Sequence, residues 1–169
     1  MKPQCRVVIT TKCNMGCEYC CMKQEKVLET FQKIRPSEIP IILNNYSILA
    51  ITGGEPMLNA HDIFNLAAEA KRRDMQVFLY SNGTLLSEIF LVSVASLIDG
   101  ITIGMHNYHI SYSEILTINR MIPVRLLVWE KEINTEFIDF CLQYNIPYRA
   151  WRLDDCDNTE YEDRFILED

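Results

Sequence analysis

Three cysteines stand close together near the start of the chain, in the segment CNMGCEYC that runs from Cys13 to Cys20. Their spacing of four and then three residues lets one short loop bring together the thiols of Cys13, Cys17 and Cys20. Three thiolates on such a loop can hold a cubane iron–sulfur cluster and leave its fourth iron without a protein ligand. A zinc site and a chance cluster of buried thiols are the alternatives, although structural zinc sites usually take four ligands as two separated pairs.

Two further polar segments follow apolar runs later in the chain. In the first, Gly53 and Gly54 allow a close approach of the backbone, and the carboxylate of Glu55 can accept hydrogen bonds from an ammonium group. In the second, the hydroxyl of Ser81 and the amide of Asn82 can bind a ribose or a carboxylate. Either segment alone is typical of a turn, but their order behind successive apolar runs predicts one shared site.

Strand-length apolar runs alternate with helical patterns, which predicts β–α units and a parallel sheet. We therefore expect a partial (β/α)6 TIM-like barrel that is open on one side, with its chemistry at the carboxyl ends of the strands. The predicted strands are Cys5–Thr10, Ser47–Thr52, Gln76–Tyr80, Gly100–Gly104, Val124–Trp129 and Tyr148–Arg152. The predicted helices are Ser37–Tyr46, Ala60–Arg73, Leu85–Leu97, Ser111–Arg120 and Asn134–Tyr144.

Charge divides the 169 residues into a neutral core domain, 1–153, and an acidic tail, 154–169. The tail has eight acidic residues and one basic residue, Arg164, and so accounts for the whole net charge of −7. We expect it to be solvated or partly ordered, with attraction of a basic partner as the alternative. The core has no concentrated basic patch, which argues against nucleic-acid binding.

The cysteine count and the apolar runs restrict the location of the protein. No apolar run approaches the ~20 residues of a membrane span, and we recognise no secretory signal at the N-terminus. We therefore expect the chain to be cytoplasmic. Seven cysteines, an odd number with several clustered, favour metal ligation over a disulfide framework in that compartment.

Taken in order, the motifs of residues 5–153 resemble those of the radical S-adenosylmethionine (radical SAM) superfamily. The cysteine loop follows the first strand, the Gly-Gly-Glu-Pro turn follows the second, and Ser81-Asn82-Gly83 is similar to the Thr-Asn-Gly segment of the family. The resemblance implies a [4Fe-4S] cluster on the three cysteines, with S-adenosylmethionine (SAM) chelating the free iron. It also implies that Tyr19 packs near the adenine, that Glu55 holds the methionine amino group, and that Ser81 and Asn82 contact the cofactor.

The implied activity is the reductive cleavage of SAM to a 5′-deoxyadenosyl radical, which abstracts hydrogen from a substrate. The expected partners are a peptide, protein or cofactor-precursor substrate and a reductant such as flavodoxin or ferredoxin. An activase of a glycyl-radical enzyme and a non-catalytic accessory protein that binds cluster and SAM are the alternatives. Relatives that make 7-carboxy-7-deazaguanine usually have Asp-Thr after the third cysteine, where this chain has Cys21 and Met22.

Two positions on later strands are candidates for other roles. Many relatives have a serine near the end of the fourth strand, where this chain has Gly104, and His106 follows where a side chain can reach substrate or cofactor. Arg125 is the only charge in its strand and needs an anion, either the cofactor carboxylate or a structural partner such as Glu130 or Asp99. We assign no role to the other cysteines, Cys5, Cys21, Cys141 and Cys156.

Overall fold

In the computed structural model, the described residues form one open sheet of eight parallel strands. The structure describes residues 3–18, 20–23, 28–152 and 162–168. The strands are β1 (Gln4–Val8), β2 (Gln32–Ile34), β3 (Ile48–Thr52), β4 (Gln76–Ser81), β5 (Gly100–Met105), β6 (Val124–Trp129), β7 (Tyr148–Trp151) and β8 (Glu162–Leu167). Their order across the sheet is β2-β8-β1-β3-β4-β5-β6-β7. The predicted fold class is confirmed, and each of the six predicted strands is present to within two residues at either end.

Within the described residues, five α-helices connect the strands. They are α1 (Ile39–Leu43), α2 (Ala60–Lys71), α3 (Glu88–Val94), α4 (Tyr112–Met121) and α5 (Thr135–Tyr144). Capping side chains set three of the starts, because Ser87, Ser111 and Asn134 accept hydrogen bonds from the backbone of the first turn. The first helix is shorter than predicted, since residues 36–38 form a separate 3-10 turn and Pro40 fits only the first turn of a helix. None of the helices in the described ranges has both the length and the apolar character of a membrane span.

The predicted acidic tail does not extend to residues 162–167, which form β8 inside the sheet. This strand pairs with β1 on one side and with β2 on the other, so both of its edges are hydrogen-bonded. Phe165 is buried against the ring of Tyr46, and the hydroxyl of Tyr46 donates to Asp163 at 2.5 Å. The acidic composition concealed this strand, and β2 was missed because it has only three residues. Residues 153–161 lie outside the described part of the chain.

The sheet has a helix-covered outer face and an inner face. From β3 to β7 each new strand is added in the same direction, so right-handed crossovers place the connecting helices on one face. Leu49, Ile51 and Val77 point to that outer face and belong to the main core. Val8 and Trp151 point to the inner face and form a smaller apolar cluster with Phe31.

Candidate functional site

The predicted motifs meet at one edge of the sheet. The cysteine loop follows the carboxyl end of β1, the Gly-Gly-Glu-Pro turn follows β3, and residues 82–84 follow β4. These three strands are neighbours in the order β1-β3-β4, so the loops that leave them lie side by side. This is the edge where parallel α/β sheets carry their ligands.

The cysteine thiols form a mutually interacting set. Cys13 is exposed, whereas Cys17 and Cys20 are half-buried. Burial raises the pKa of Cys17, and electrostatic interactions with Cys20 and Cys13 raise it further. The backbone amide of Met15 donates to the sulfur of Cys13 at 3.3 Å. All of the described cysteines are free thiols.

This donor set fits a [4Fe-4S] cluster with one open iron, because each of three thiolates can bind a different iron. The sulfurs therefore need not converge on one point. Across the described residues, no three His, Cys, Asp or Glu side chains form a site for a single metal ion. Lys23 supports the loop by donating its ammonium group to the carbonyl oxygen of Cys17 at 2.9 Å.

Gly53 and Gly54 make room for the start of the cysteine loop. The amide of Gly54 donates to the carbonyl of Thr10, and the amide of Glu55 donates to the carbonyl of Lys12, both at 2.8 Å. A β-carbon on Gly53 would lie 2.5 Å from the oxygen of Thr10, and one on Gly54 would lie 2.2 Å from the oxygen of Lys12. The close approach expected from these glycines is therefore made by the protein's own backbone.

Glu55 is fully buried and bridges two turns. Its carboxylate accepts hydrogen bonds from the amide of Met57 at 2.9 Å, the hydroxyl of Ser81 at 2.8 Å and the amide of Asn82 at 2.7 Å. A carboxylate has about four acceptor positions, so these donors leave one of them free. Glu55 thus joins the turn after β3 to the end of β4, a role that the sequence did not indicate.

A closed ring of hydrogen bonds joins the cysteine loop to the turn after β4. The side-chain amide of Asn82 donates to the side-chain oxygen of Asn14, and the amide of Asn14 donates to the hydroxyl of Thr84, both at 2.8 Å. The hydroxyl of Thr84 donates back to the side-chain oxygen of Asn82 at 2.7 Å. The sequence did not indicate a role for Asn14, because an asparagine beside a cysteine does not reveal its hydrogen-bond partner.

His109 is a second residue that the sequence left without a function. Its Nε2 lies 2.6 Å from the backbone oxygen of Asn82, and since that oxygen only accepts, Nε2 carries the proton. Its Nδ1 lies 2.7 Å from the backbone oxygen of His106 and 3.3 Å from the amide nitrogen of the same residue. Asn107 and Tyr108 have positive φ angles of 52° and 48°, which fold the chain back so that His109 reaches Asn82.

His106 is half-buried on the inner face. Its ring meets the ring of Trp151 edge-on, with centroids 6.1 Å apart. A β-carbon on Gly104 would lie 3.2 Å from Nε2 of His106, so the missing side chain at Gly104 makes room for the imidazole. Burial lowers the pKa of His106 and the charge of His109 lowers it further, while Glu132 opposes them.

The structural partners expected for Arg125 are wrong. Glu130 pairs with Arg152, and Asp99 pairs with Lys71 at 2.5 Å. Val124, Leu126 and Val128 are buried in β6, but Arg125 is exposed between them. The strand therefore alternates instead of being covered on both faces, and the arginine does not need a buried counter-charge.

The remaining cysteines and Tyr19 either lie in the core or fall outside the described part of the structure. Cys5 and Cys141 are buried in the main core, where burial raises the pKa of Cys141 to about 11. Tyr19, the side chain of Cys21 and Cys156 lie outside the described part of the structure.

Comparisons with known proteins agree with this geometry. Residues 7–123 match the family model of the Radical SAM superfamily. A GTP 3',8-cyclase of Parasynechococcus marenigrum (strain WH8102) is 37% identical over 95 residues, which cover 49% of this chain and 27% of the relative. An S-adenosylmethionine-dependent nucleotide dehydratase of Flammeovirga pacifica is 32% identical over 112 residues, which cover 62% of this chain and 38% of the relative.

Solved structures share the fold at low identity. Streptococcus suis SuiB bound to S-adenosylmethionine matches with a TM-score of 0.65 and 14% identity over 99% of this chain and 48% of that one. The protein anSMEcpe with bound AdoMet and a Cp18Cys peptide matches with a TM-score of 0.65 and 15% identity, over 90% of this chain and 51% of the other. The chain thus spans about half the length of these structures and less of the curated relatives.

The family match covers more than half of the chain and includes the cysteine loop, the glycine turn and the end of β4. Members of this family are enzymes that use a [4Fe-4S] cluster and S-adenosylmethionine. On these observations, the chain belongs to the radical SAM superfamily.

Proposed function

We propose that this protein is a radical SAM enzyme that removes a hydrogen atom from a nucleotide. The observation that carries the proposal is the position of the three thiols, on a loop fixed to the turn after β3 by two backbone hydrogen bonds and to the turn after β4 by Asn14. When bound there, the cluster and SAM supply a 5′-deoxyadenosyl radical through reductive cleavage of the sulfonium. The chain's own residues hold, orient and shield these groups.

Cys13, Cys17 and Cys20 are the proposed cluster ligands. Burial and the neighbouring cysteines raise the pKa of Cys17, so iron binding displaces a proton that the free protein retains at neutral pH. The amide of Met15 already donates to the sulfur of Cys13, and such hydrogen bonds to ligand sulfurs help to set the reduction potential of a cluster.

The turns after β3 and β4 are the proposed SAM contacts. The free acceptor position of Glu55 suits the methionine amino group, while Ser81 and Asn82 hold the carboxylate in place. Gly53 and Gly54 keep the cysteine loop close to this carboxylate. We keep Tyr19 as the residue beside the adenine and His106 as the residue that faces the reacting groups.

A nucleotide is the substrate class that the curated relatives support. Their names specify GTP in one case and a nucleotide in the other. A peptide, protein or cofactor precursor was expected from the sequence. The protein anSMEcpe does bind a peptide, but its 15% identity to this chain supports a shared fold alone. The electron comes from a reductant such as flavodoxin or ferredoxin, in the cytoplasm, where the thiols stay reduced.

Hydrogen transfer tests this function directly. The reconstituted protein is reduced anaerobically with SAM and with GTP, ATP, CTP or UTP deuterated on the ribose and base carbons. Deuterium in 5′-deoxyadenosine from one nucleotide is the expected result. Formation of 5′-deoxyadenosine without deuterium from any of them would reject the nucleotide and leave the peptide and protein substrates. A bound cluster without any cleavage would favour the accessory role.

A further inference from the structure

Arginine recurs on the inner face of the sheet. Arg6 in β1 is in register with Arg164 in β8, and Leu127 in β6 is in register with Arg149 in β7. Arg125 precedes Leu127 by two residues, so strand alternation places it on the same face as Arg149. The described basic side chains at inner-face strand positions are Arg6, Lys33, Arg125, Arg149 and Arg164.

The guanidinium groups of Arg125 and Arg149 have no bonding partner in the described part of the structure. Both residues are exposed, and neither makes a hydrogen bond or an ion pair within the described residues. They are diagonal neighbours on adjacent strands, with backbones about 8 Å apart. In contrast, the guanidinium of Arg6 lies over the ring of Tyr80 at 4.9 Å and that of Arg164 lies over the ring of Phe31 at 5.6 Å.

Two neighbouring cations without a carboxylate partner repel each other, which indicates a binding role for an anion. The carboxylate of SAM, the other candidate partner of Arg125, carries a single charge and needs one guanidinium. A phosphate chain carries several charges, and its oxygens match the planar donors of arginine in pairs. The pair therefore suits a di- or triphosphate better than a single carboxylate.

An aromatic pair lies on the same face, nearer to the cysteine loop. Trp129 and Trp151 are in register and meet edge-to-face with centroids 4.7 Å apart. Trp129 is half-buried, and an aromatic ring of this kind is a surface on which a nucleobase stacks. Along the strands, Trp151 is about 7 Å from Arg149 and Trp129 is about 13 Å from Arg125. This separation leaves room for a ribose between a stacked base and its phosphates.

We infer that Arg125 and Arg149 bind the phosphate chain of the nucleotide substrate on the inner face, with its base at Trp129 near the cofactor edge and its ribose between the base and the arginines. This inference rests on the proposed function, because it assigns the substrate of the same site. Arg6 and Arg164 lie on the same face, and each stacks on an aromatic ring.

Equilibrium binding to the reconstituted full chain, without reductant, tests the inference. The probes are GTP, inorganic triphosphate and guanosine. Isothermal titration calorimetry measures the binding of each probe. We expect GTP and triphosphate to bind, and guanosine to bind far more weakly. Arg125→Ala and Arg149→Ala should each weaken triphosphate binding by roughly tenfold or more, since each removes charge-assisted hydrogen bonds. Arg120→Ala, an exposed arginine at the end of α4, is the matched control and should bind as the wild type does.

Arg125→Lys and Arg149→Lys keep the charge, and we expect intermediate affinity because lysine lacks the paired donors. Equal binding by the alanine variants and the wild type would overturn the inference, as would guanosine binding as tightly as GTP. A wild-type chain that binds neither GTP nor triphosphate would overturn it as well. Because no reductant is present, binding that depends on these arginines would support the phosphate site even if SAM cleavage failed.

Discussion

The side-chain amide of Asn82 donates a hydrogen bond to the side-chain oxygen of Asn14, 2.8 Å away, and so joins the end of β4 to the residue after Cys13. Thr84 closes the ring through its hydroxyl, which accepts from Asn14 and donates to Asn82. The cysteine loop is therefore held by protein contacts that do not involve the thiols. Preorganisation of this kind lowers the conformational entropy that cluster binding must overcome.

Asn14→Ala should destabilise the protein by about 1 kcal/mol for each hydrogen bond lost, since the ring is only partly exposed. Because Asn14 and Thr84 belong to one network, the double variant with Thr84→Ala should lose less than the two single variants added together. Urea unfolding of the four proteins measures this coupling. Gln143→Ala, exposed on α5 and without a side-chain hydrogen bond among the described residues, is the control and should change the free energy of unfolding by less than about 0.5 kcal/mol. Strict additivity would show that the ring is not a unit.

Gly54→Ala should separate the cysteine loop from the turn after β3. The new β-carbon would lie 2.2 Å from the backbone oxygen of Lys12, which has no flexible end to move away. We expect a loss of about 1–3 kcal/mol and a lower iron content after reconstitution. Gly16→Ala is the matched control in the same loop, because nothing lies within 4 Å of its added carbon. Equal iron content in both variants would argue against the close contact.

Glu55→Gln tests the buried bridge between the turns. A glutamine side chain must point an N–H group at one of the three donors that now face the carboxylate, which leaves buried donors unpaired. The expected cost is about 1–3 kcal/mol in urea unfolding, together with weaker SAM binding. Glu88→Gln, exposed at the start of α3, should have little effect. A Glu55→Gln protein as stable as the wild type would mean that the carboxylate is not needed as an acceptor.

His106 should make the protein less stable as the pH falls. Its pKa in the folded protein is lowered by burial and by His109 from the usual 6.5, so the unfolded chain takes up the proton first as pH falls. Stability is then full above the unfolded value and decreases as pH falls through 6.5 towards the lower folded value. Urea unfolding between about pH 8 and about pH 5 should show a shallower decrease in His106→Gln than in the wild type. Gln143→Ala, an exposed substitution on α5, is the control and should keep the wild-type slope.

The site residues that the sequence identified are those whose chemistry is specific by itself. Three cysteines at fixed spacing have few uses, and Gly54 and Glu55 follow a run that is apolar enough to predict β3. The residues that position them were not predictable, because Asn14 and His109 act on Asn82, which is 68 and 27 residues away. Such partners depend on the order of strands in the sheet.

Errors in the fold have a comparable origin. The strand β8 is stabilised by pairing with β1, a contact across the whole length of the chain, while its own sequence is dominated by charge. The position of Arg125 was misjudged because β6 has valine and leucine on its outer face and a mixed inner face. The local sequence pattern alone does not distinguish a strand whose inner face is exposed from a strand that is buried on both faces.

Reductive cleavage of SAM tests the central claim most directly. The protein is reconstituted anaerobically with iron and sulfide, reduced with dithionite in the presence of SAM, and assayed for 5′-deoxyadenosine. We predict that the wild type and Cys141→Ala, which removes a thiol of the core, both form 5′-deoxyadenosine. Cys13→Ala should form none. A wild-type protein that holds its cluster but forms no 5′-deoxyadenosine, or one that binds zinc in place of iron, would contradict this account.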